Sequence, residues 1–267
     1  MKFTFGFIGC GNMGGALALA ASKVMPADQL AVCDADPAKT EFLTVEKKAT
    51  SADLSTVAMQ SEYIFLAVKP QGMAGLFDTL APILKKRTDR FILVSMAAGI
   101  EISKIEQMAG VECGVIRIMP NTPVSVGEGM ILYDVNNAVT DREIQGFLNG
   151  LSAAGRLDRI PERLIDAAGS LSGCGPAFVY LFAEALADGG VECGLPRDKA
   201  LLYAAQTLLG AGKMLLETGK HPGVLKDAVC SPGGTTIAGV HALENGAFRA
   251  DAMNAVKAAF EKTQALK

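Results

Sequence analysis

The sequence predicts an α/β fold: a doubly wound parallel sheet at the N-terminus, followed by an all-helical domain. Three observations carry that expectation. From Phe3 to about Ile160, nearly continuous apolar runs alternate with amphipathic segments, as parallel strands covered by helices on both faces require. Past about Pro161 the strand signals stop and helical periodicity remains. Between the first strand and the first helix lies a glycine turn, Gly9-Cys10-Gly11-Asn12-Met13-Gly14. The domain boundaries expected from this are 1–160 and 161–267, with no flexible linker between them.

Phe5-Gly6-Phe7-Ile8 reads as a buried strand, and the helix after the turn continues to Ala21. Gly9-x-Gly11-x-x-Gly14 is the Rossmann-type dinucleotide spacing. Gly9 permits the tight turn, Gly11 lets backbone approach a pyrophosphate, and Gly14 lets helix and strand pack closely. The helix N-terminus offers unpaired N–H groups and a positive dipole end to the anion. A structural turn is the alternative, and the visible strand and helix on either side favour the nucleotide. A second strand is expected over 29–34, then a helix from Pro37, a good first-turn residue, to about Glu46. A third strand over 63–68 is stopped by Lys69-Pro70, and a helix follows over 73–84. The next strand, 91–96, ends at Ala97-Ala98-Gly99 before a helix over 101–108. A strand over 114–119 ends at Pro120, and a strand near 129–133 with a helix over 141–151 completes the sheet. Helices are then expected over 164–169, 176–193, 196–218, 235–245 and 251–266, with a short turn near 222–229. Gly194 suits a C-cap and Pro196 an N1 proline. Ala183, Ala187, Ala200, Leu201, Ala204, Ala205, Leu208 and Leu209 cover too much circumference for surface helices. Burial against a second subunit explains this, which makes the helical half a dimerisation domain; ordinary bundle packing is the alternative.

Half of the 267 residues are apolar and 20% are charged, so the chain can bury a large core. The net charge is −3 and no basic cluster exceeds Lys85-Lys86-Arg87, which disfavours nucleic acid and acidic membranes as partners. The first strand begins directly after Met1-Lys2, so no signal peptide is expected. The apolar run 178–187 is interrupted by Glu184 and followed by Asp188 and Glu192, as in a core helix rather than a membrane span. Six cysteines are scattered singly, which suggests reduced, mostly buried thiols and a cytoplasmic location. His221 and His241 are the only histidines and neither has a ligand-spaced neighbour, so no metal is expected.

Asp34 stands at the end of the second strand, twenty residues beyond Gly14, where an acid holds a ribose 2′-OH and repels a 2′-phosphate. Either Asp34 or Asp36 could instead cap the helix beginning at Pro37, and Asp36 fits that role better. Ala67-Val68-Lys69-Pro70 and Met96-Ala97-Ala98-Gly99 follow strands at the carboxyl edge, where small residues leave room for the nicotinamide half. Lys69 could be a solvated cap or face the ligand. In Met119-Pro120-Asn121-Thr122-Pro123 the two prolines aim Asn121 in one direction, toward a nicotinamide or substrate group, or simply within a turn. Ser231-Pro232-Gly233-Gly234-Thr235-Thr236 opens a helix with unhindered N–H groups and three hydroxyls, a second anion site sized for one carboxylate. No Ser-His-Asp or Cys-His arrangement is legible. Hydride transfer to a carbon–nitrogen double bond needs less proton machinery than alcohol oxidation, and the residues suit it.

Residues 7–14, Ala67-Val68-Lys69-Pro70, Ala97-Ala98-Gly99, 119–123, Gly173-Cys174-Gly175-Pro176-Ala177-Phe178 and 231–236 together resemble the pyrroline-5-carboxylate reductase family, in the family's order. The resemblance implies reduction of 1-pyrroline-5-carboxylate to L-proline with NADPH or NADH, the last step of proline biosynthesis. It implies a cofactor lined by Gly9, Cys10, Gly11, Asn12, Met13, Gly14, Ala67, Val68, Lys69, Pro70, Met96, Ala97 and Ala98. Ser231, Gly234, Thr235 and Thr236 would cradle the substrate carboxylate, with the Thr236 hydroxyl reaching the ring nitrogen. It further implies helical domains exchanged in a homodimer, and often a ring of dimers such as a homodecamer. Cys174 and Phe178 stand where the family usually carries hydroxyl side chains, and Asp34 where many members carry a hydroxyl residue suited to a 2′-phosphate. Two other readings remain: a related imine or β-hydroxy-acid reductase, and a nucleotide-sensing protein without turnover. The second anion site weighs against the sensor.

Overall fold

The structure, a computed structural model, describes residues 2–265; Met1, Leu266 and Lys267, with the expected end of the last helix, lie outside the described residues. The first compact unit runs through Cys174 and includes the end of the last helix from Ala259; the second is Gly175–Ala258.

The first unit is built on an eight-stranded sheet. In chain order the strands are β1 (Phe3–Ile8), β2 (Leu30–Cys33), β3 (Thr50–Ser51), β4 (Ser61–Leu66), β5 (Ile92–Ser95), β6 (Gly114–Met119), β7 (Gly129–Val135) and β8 (Gly155–Arg159). Across the sheet they lie β3-β2-β1-β4-β5-β6-β7-β8. The order reverses between β1 and β4, so the crevice that binds ligands in open sheets opens where the glycine turn leaves β1. Helices α1 (Asn12–Ala21), α2 (Ala38–Val45) and α6 (Asp141–Gly150) bury Leu17, Leu43 and Phe147 in the core on one face. There Phe7 stacks on Phe65 with ring centroids 4.3 Å apart. Helices α3 (Leu54–Gln60), α4 (Met73–Leu84) and α5 (Ile102–Ala109) bury Val57, Phe77 and Ile105 on the other face. The inner strands β1, β2, β4, β5 and β6 are buried along nearly their whole length, which explains their largely apolar sequences.

The sheet is not wholly parallel: β6 and β7 pair antiparallel. Only the short 122–126 turn separates them, too little chain for a parallel crossover. Three short elements lie outside the sequence expectation. Two-residue β3 and seven-residue α3 are too short for a periodic signal. Edge strand β8, Gly-Arg-Leu-Asp-Arg, has one apolar side chain, as an edge requires.

Helix α7 (Glu162–Ser172) is fastened to the sheet by charge. Arg117, on β6 and only 1% exposed, donates to Asp166 at 2.6 Å and Glu162 at 3.2 Å. Glu162 also accepts the Ile102 N–H, capping α5, while Asp134 accepts the Glu162 N–H.

The second unit contains α8 (Gly175–Glu192), α9 (Arg197–Thr218), α10 (Pro222–Ala228), α11 (Thr235–Asn245) and most of α12 (Phe248–Gln264). Helices α8 and α9 pack together around Ala187, Ala200 and Ala204. Most of this unit's other large apolar residues stay open, with Leu181 68% and Leu216 73% exposed. The cysteine expectation needs correction: Cys10 and Cys113, beside the ends of β1 and β6, are buried, but Cys174 and Cys193, which flank α8, are exposed.

Candidate active site

The nucleotide edge belongs to the first unit. Gly9 has φ +96°, and a Cβ there would lie 2.6 Å from the Ala67 carbonyl oxygen. At Gly14 a Cβ would lie 2.1 Å from the Gly9 carbonyl oxygen and 2.7 Å from Ala67 Cβ. The structure therefore brings the turn, α1 and the loop after β4 into contact without side chains between them. Around Gly11 a Cβ would meet nothing within 4 Å, so open space lies where backbone must face a pyrophosphate. Helix α1 has Gly11 as N-cap and no side-chain cap, which leaves the N–H groups of its first turn to a ligand. These features fit a dinucleotide.

Individual residues divide into groups. Gly9, Gly11, Asn12, Met13 and Gly14 form the turn as expected. Cys10 turns its thiol inward, and burial with the nearby Asp34 carboxylate raises its pKa to about 12, so it is an inert packing group. Its N–H, an expected ligand contact, instead donates to Asp34 Oδ2 at 2.7 Å. Asp34 Oδ1 accepts the Asp36 N–H at 2.9 Å, and Lys39 Nζ stands 3.7 Å away. Burial pushes the Asp34 carboxyl up, but the Asp36 and Cys10 N–H groups and Lys39 together hold it below the ordinary aspartate value. Asp36 accepts from the Ala38 N–H at the start of α2. Ala67, Val68, Lys69 and Pro70 follow β4, and Met96, Ala97 and Ala98 follow β5, so both loops lie on the same carboxyl edge; Lys69 is exposed. Asn121 is a correction. It is 8% exposed, donates to the Ser172 carbonyl at 2.9 Å and accepts the Met130 N–H at 2.8 Å. Its amide brackets β7 and α7 rather than facing a ligand.

The second unit carries the other anion-binding feature. Gly233, at φ +67°, turns the chain into α11, and Gly234 is the N-cap with no side-chain cap. A Cβ on Gly234 would lie 2.4 Å from Ser231 Oγ and 3.1 Å from the Ser231 carbonyl oxygen, so a side chain there would displace the Ser231 hydroxyl. Thr235 and Thr236 are the first two helical residues, both exposed, and among the described residues their hydroxyls have no hydrogen-bond partner. Backbone N–H groups and hydroxyls at a positive helix end can hold a carboxylate and leave a hydroxyl over. A hollow of about 500 Å³ beside this end is lined by Gly233, Gly234, Ile237 and His241.

Sequence reasoning missed the buried charge at Arg117, although an arginine inside Gly-Val-Ile-Arg-Ile-Met signals one. It also missed the bond from Cys10 to Asp34, which joins the loops that follow the neighbouring strands β1 and β2.

Fold and site together define an NAD(P)-dependent oxidoreductase with an oligomerising helical domain. Residues 162–266 match the family model described as pyrroline-5-carboxylate reductase dimerisation, and residues 4–99 that of NADP oxidoreductase coenzyme F420-dependent. A Pisum sativum pyrroline-5-carboxylate reductase is 42% identical over 268 residues, covering 99% of this chain and 96% of that protein. A Plasmodium falciparum pyrroline carboxylate reductase solved with NADP bound has TM-score 0.85 at 32% identity, covering 98% of this chain and 97% of that one. A Coxiella burnetii pyrroline-5-carboxylate reductase structure has TM-score 0.91 at 29% identity, covering 100% and 99%. The chain belongs to the pyrroline-5-carboxylate reductase family. By length and composition residues 162–192 could cross a membrane, but they form two helices, α7 and α8, and begin the segment that matches the dimerisation model.

Proposed function

We propose that the chain reduces 1-pyrroline-5-carboxylate to L-proline with NADH or NADPH, the last step of proline biosynthesis, in the cytoplasm. The supporting observation is the start of α11, where uncapped N–H groups and two idle threonine hydroxyls are presented together. Bound reduced nicotinamide supplies the hydride. Gly9 to Gly14 hold the pyrophosphate through first-turn N–H groups, and Ala67 to Pro70 with Met96 to Ala98 give the nicotinamide half a small-residue bed. Ser231, Gly234, Thr235 and Thr236 hold the substrate carboxylate. The carboxylate orients the ring, and the Thr236 hydroxyl hydrogen-bonds the ring nitrogen as it becomes an amine. The substrate reacts as its N-protonated iminium, whose carbon is already electrophilic and whose nitrogen already carries the proton, so hydride addition gives the amine directly and positioning accounts for much of the catalysis. The working parts on this reading are the dinucleotide domain 1–160 and the helical domain 161–267, the latter exchanged within a homodimer and repeated in a ring of dimers. Neither nucleic acid nor a membrane takes part.

The test is absorbance at 340 nm with purified protein, 1-pyrroline-5-carboxylate and either nucleotide. Decay is expected with wild type. Thr236→Val is expected to lower kcat/KM by about ten-fold or more, the worth of one hydrogen bond strengthened in the transition state. No decay with either nucleotide, while both still bind, would favour the imine relative or the sensor. An unchanged kcat/KM in the variant would remove Thr236 from the mechanism.

A further inference from the structure

We propose that Asp34 makes this chain prefer NADH, and that Lys39 is a latent 2′-phosphate partner held out of use by the Asp34 carboxylate; this rests on the reductase reading above. Asp34 follows β2 directly, beside the glycine turn at the end of β1. Its side chain is 10% exposed and its two oxygens already accept from Cys10 and Asp36. Those two N–H groups fix the carboxylate at the edge where the adenosine ribose of a dinucleotide lies. Each oxygen keeps a lone pair, enough to accept from a ribose hydroxyl and unable to tolerate a phosphate dianion.

The surroundings reinforce this. Asp36 adds a second exposed carboxylate two residues on, engaged only through the Ala38 N–H. Asp53, the N-cap of α3, together with Asp34 pushes the neighbouring Cys33 thiol up after burial has done so, which places negative potential on this side of β2. The one basic side chain paired with Asp34 is Lys39, half exposed at 49%, its ammonium turned to Asp34. A 2′-phosphate would meet two carboxylates and a cation already neutralised. Removing the Asp34 charge leaves only the exposed Asp36 carboxylate to repel the phosphate and releases Lys39 in one step, so a single position governs most of the discrimination.

The clamp on Cys10 shapes the test. Truncating Asp34 would also loosen the glycine turn and weaken both nucleotides. Asp34→Asn keeps an acceptor for the Cys10 N–H while removing the charge. Calorimetric titration of the full chain with NADH and with NADPH, without substrate, is expected to show wild type binding NADH at least about ten-fold tighter, as charge repulsion at a partly exposed site allows. In Asp34→Asn the preference should disappear or reverse, and adding Lys39→Met should withdraw the NADPH gain. Equal affinities in wild type, tighter NADPH binding, or a gain that survives Lys39→Met overturns the proposal. Turnover of 1-pyrroline-5-carboxylate with equal affinities sinks this inference alone, whereas NADH-selective binding without turnover sinks the reductase reading alone.

Discussion

At the residue scale, Glu143 is a strongly perturbed carboxylate outside the site. It sits at the third position of α6, accepts the Thr140 N–H at 2.7 Å to complete a capping box, and pairs with Arg90. The Arg90 guanidinium foremost, then the Thr140 groups, hold its pKa at about 2 against burial, from an ordinary 4.5. A lowered folded value means the stabilisation is fully present above the ordinary value and is lost as pH falls toward the folded one. Thermal unfolding should therefore show Glu143→Gln less stable than wild type at pH 7 by about 1 kcal/mol, Arg90 being half exposed and screened. The gap should narrow below about pH 5 and close only as pH falls to about 2. A gap independent of pH would mean the pair adds no charge-dependent stability. Single residues were unevenly legible in the sequence. Asp34 could be placed just past the second strand, beside the glycine turn, from its spacing alone. Its bond to Cys10, 24 residues back, depends on the β1–β2 register. Asn121 was misread because its partners, Met130 and Ser172, lie 9 and 51 residues along the chain.

At the scale of elements, the glycine turn and the strands it joins were plain because each constraint is local. Gly9 needs φ +96° and Gly14 has no room for a Cβ, and both facts are written in the glycine spacing. Gly14→Ala would put a methyl against backbone, forcing α1 off the loop after β4. Nucleotide affinity should fall by more than about ten-fold while the far-UV spectrum is kept, since the change displaces one helix end rather than the core. Undiminished nucleotide binding in that variant would show the turn is not the pyrophosphate seat. The antiparallel β6–β7 pair was less legible, since apolar runs buried on both faces read alike in either direction. Edge strands β3 and β8 were not legible at all, being too short or too polar.

At the scale of the whole molecule, the two units differ in how much core they own. The sheet unit buries two extensive clusters, one on each face. The helical unit's buried cluster is Ala187, Ala200 and Ala204, while Tyr180, Leu202, Leu216 and Met253 are exposed. So small an interior cannot offset the conformational entropy of ordering helices of this length, and the homodimer proposed above would supply the missing burial. The over-wide apolar circumference of α8 and α9 made this readable in sequence. Unfolding should then couple to association: the apparent Tm should rise as protein concentration is raised 100-fold, by a few degrees. A Tm flat across that range would mean the helices are stable without a partner.

If the proposed homodimer is the active form, the same open helices tie enzyme output to gene dosage. Pairing is second order in chain, so where chains are scarce the assembled fraction falls with their number, and active enzyme rises with the square of synthesis. Unmated chains meanwhile expose the apolar surface that quality-control proteases capture. Halving expression in that regime would remove about three quarters of the activity, a response steeper than proportional.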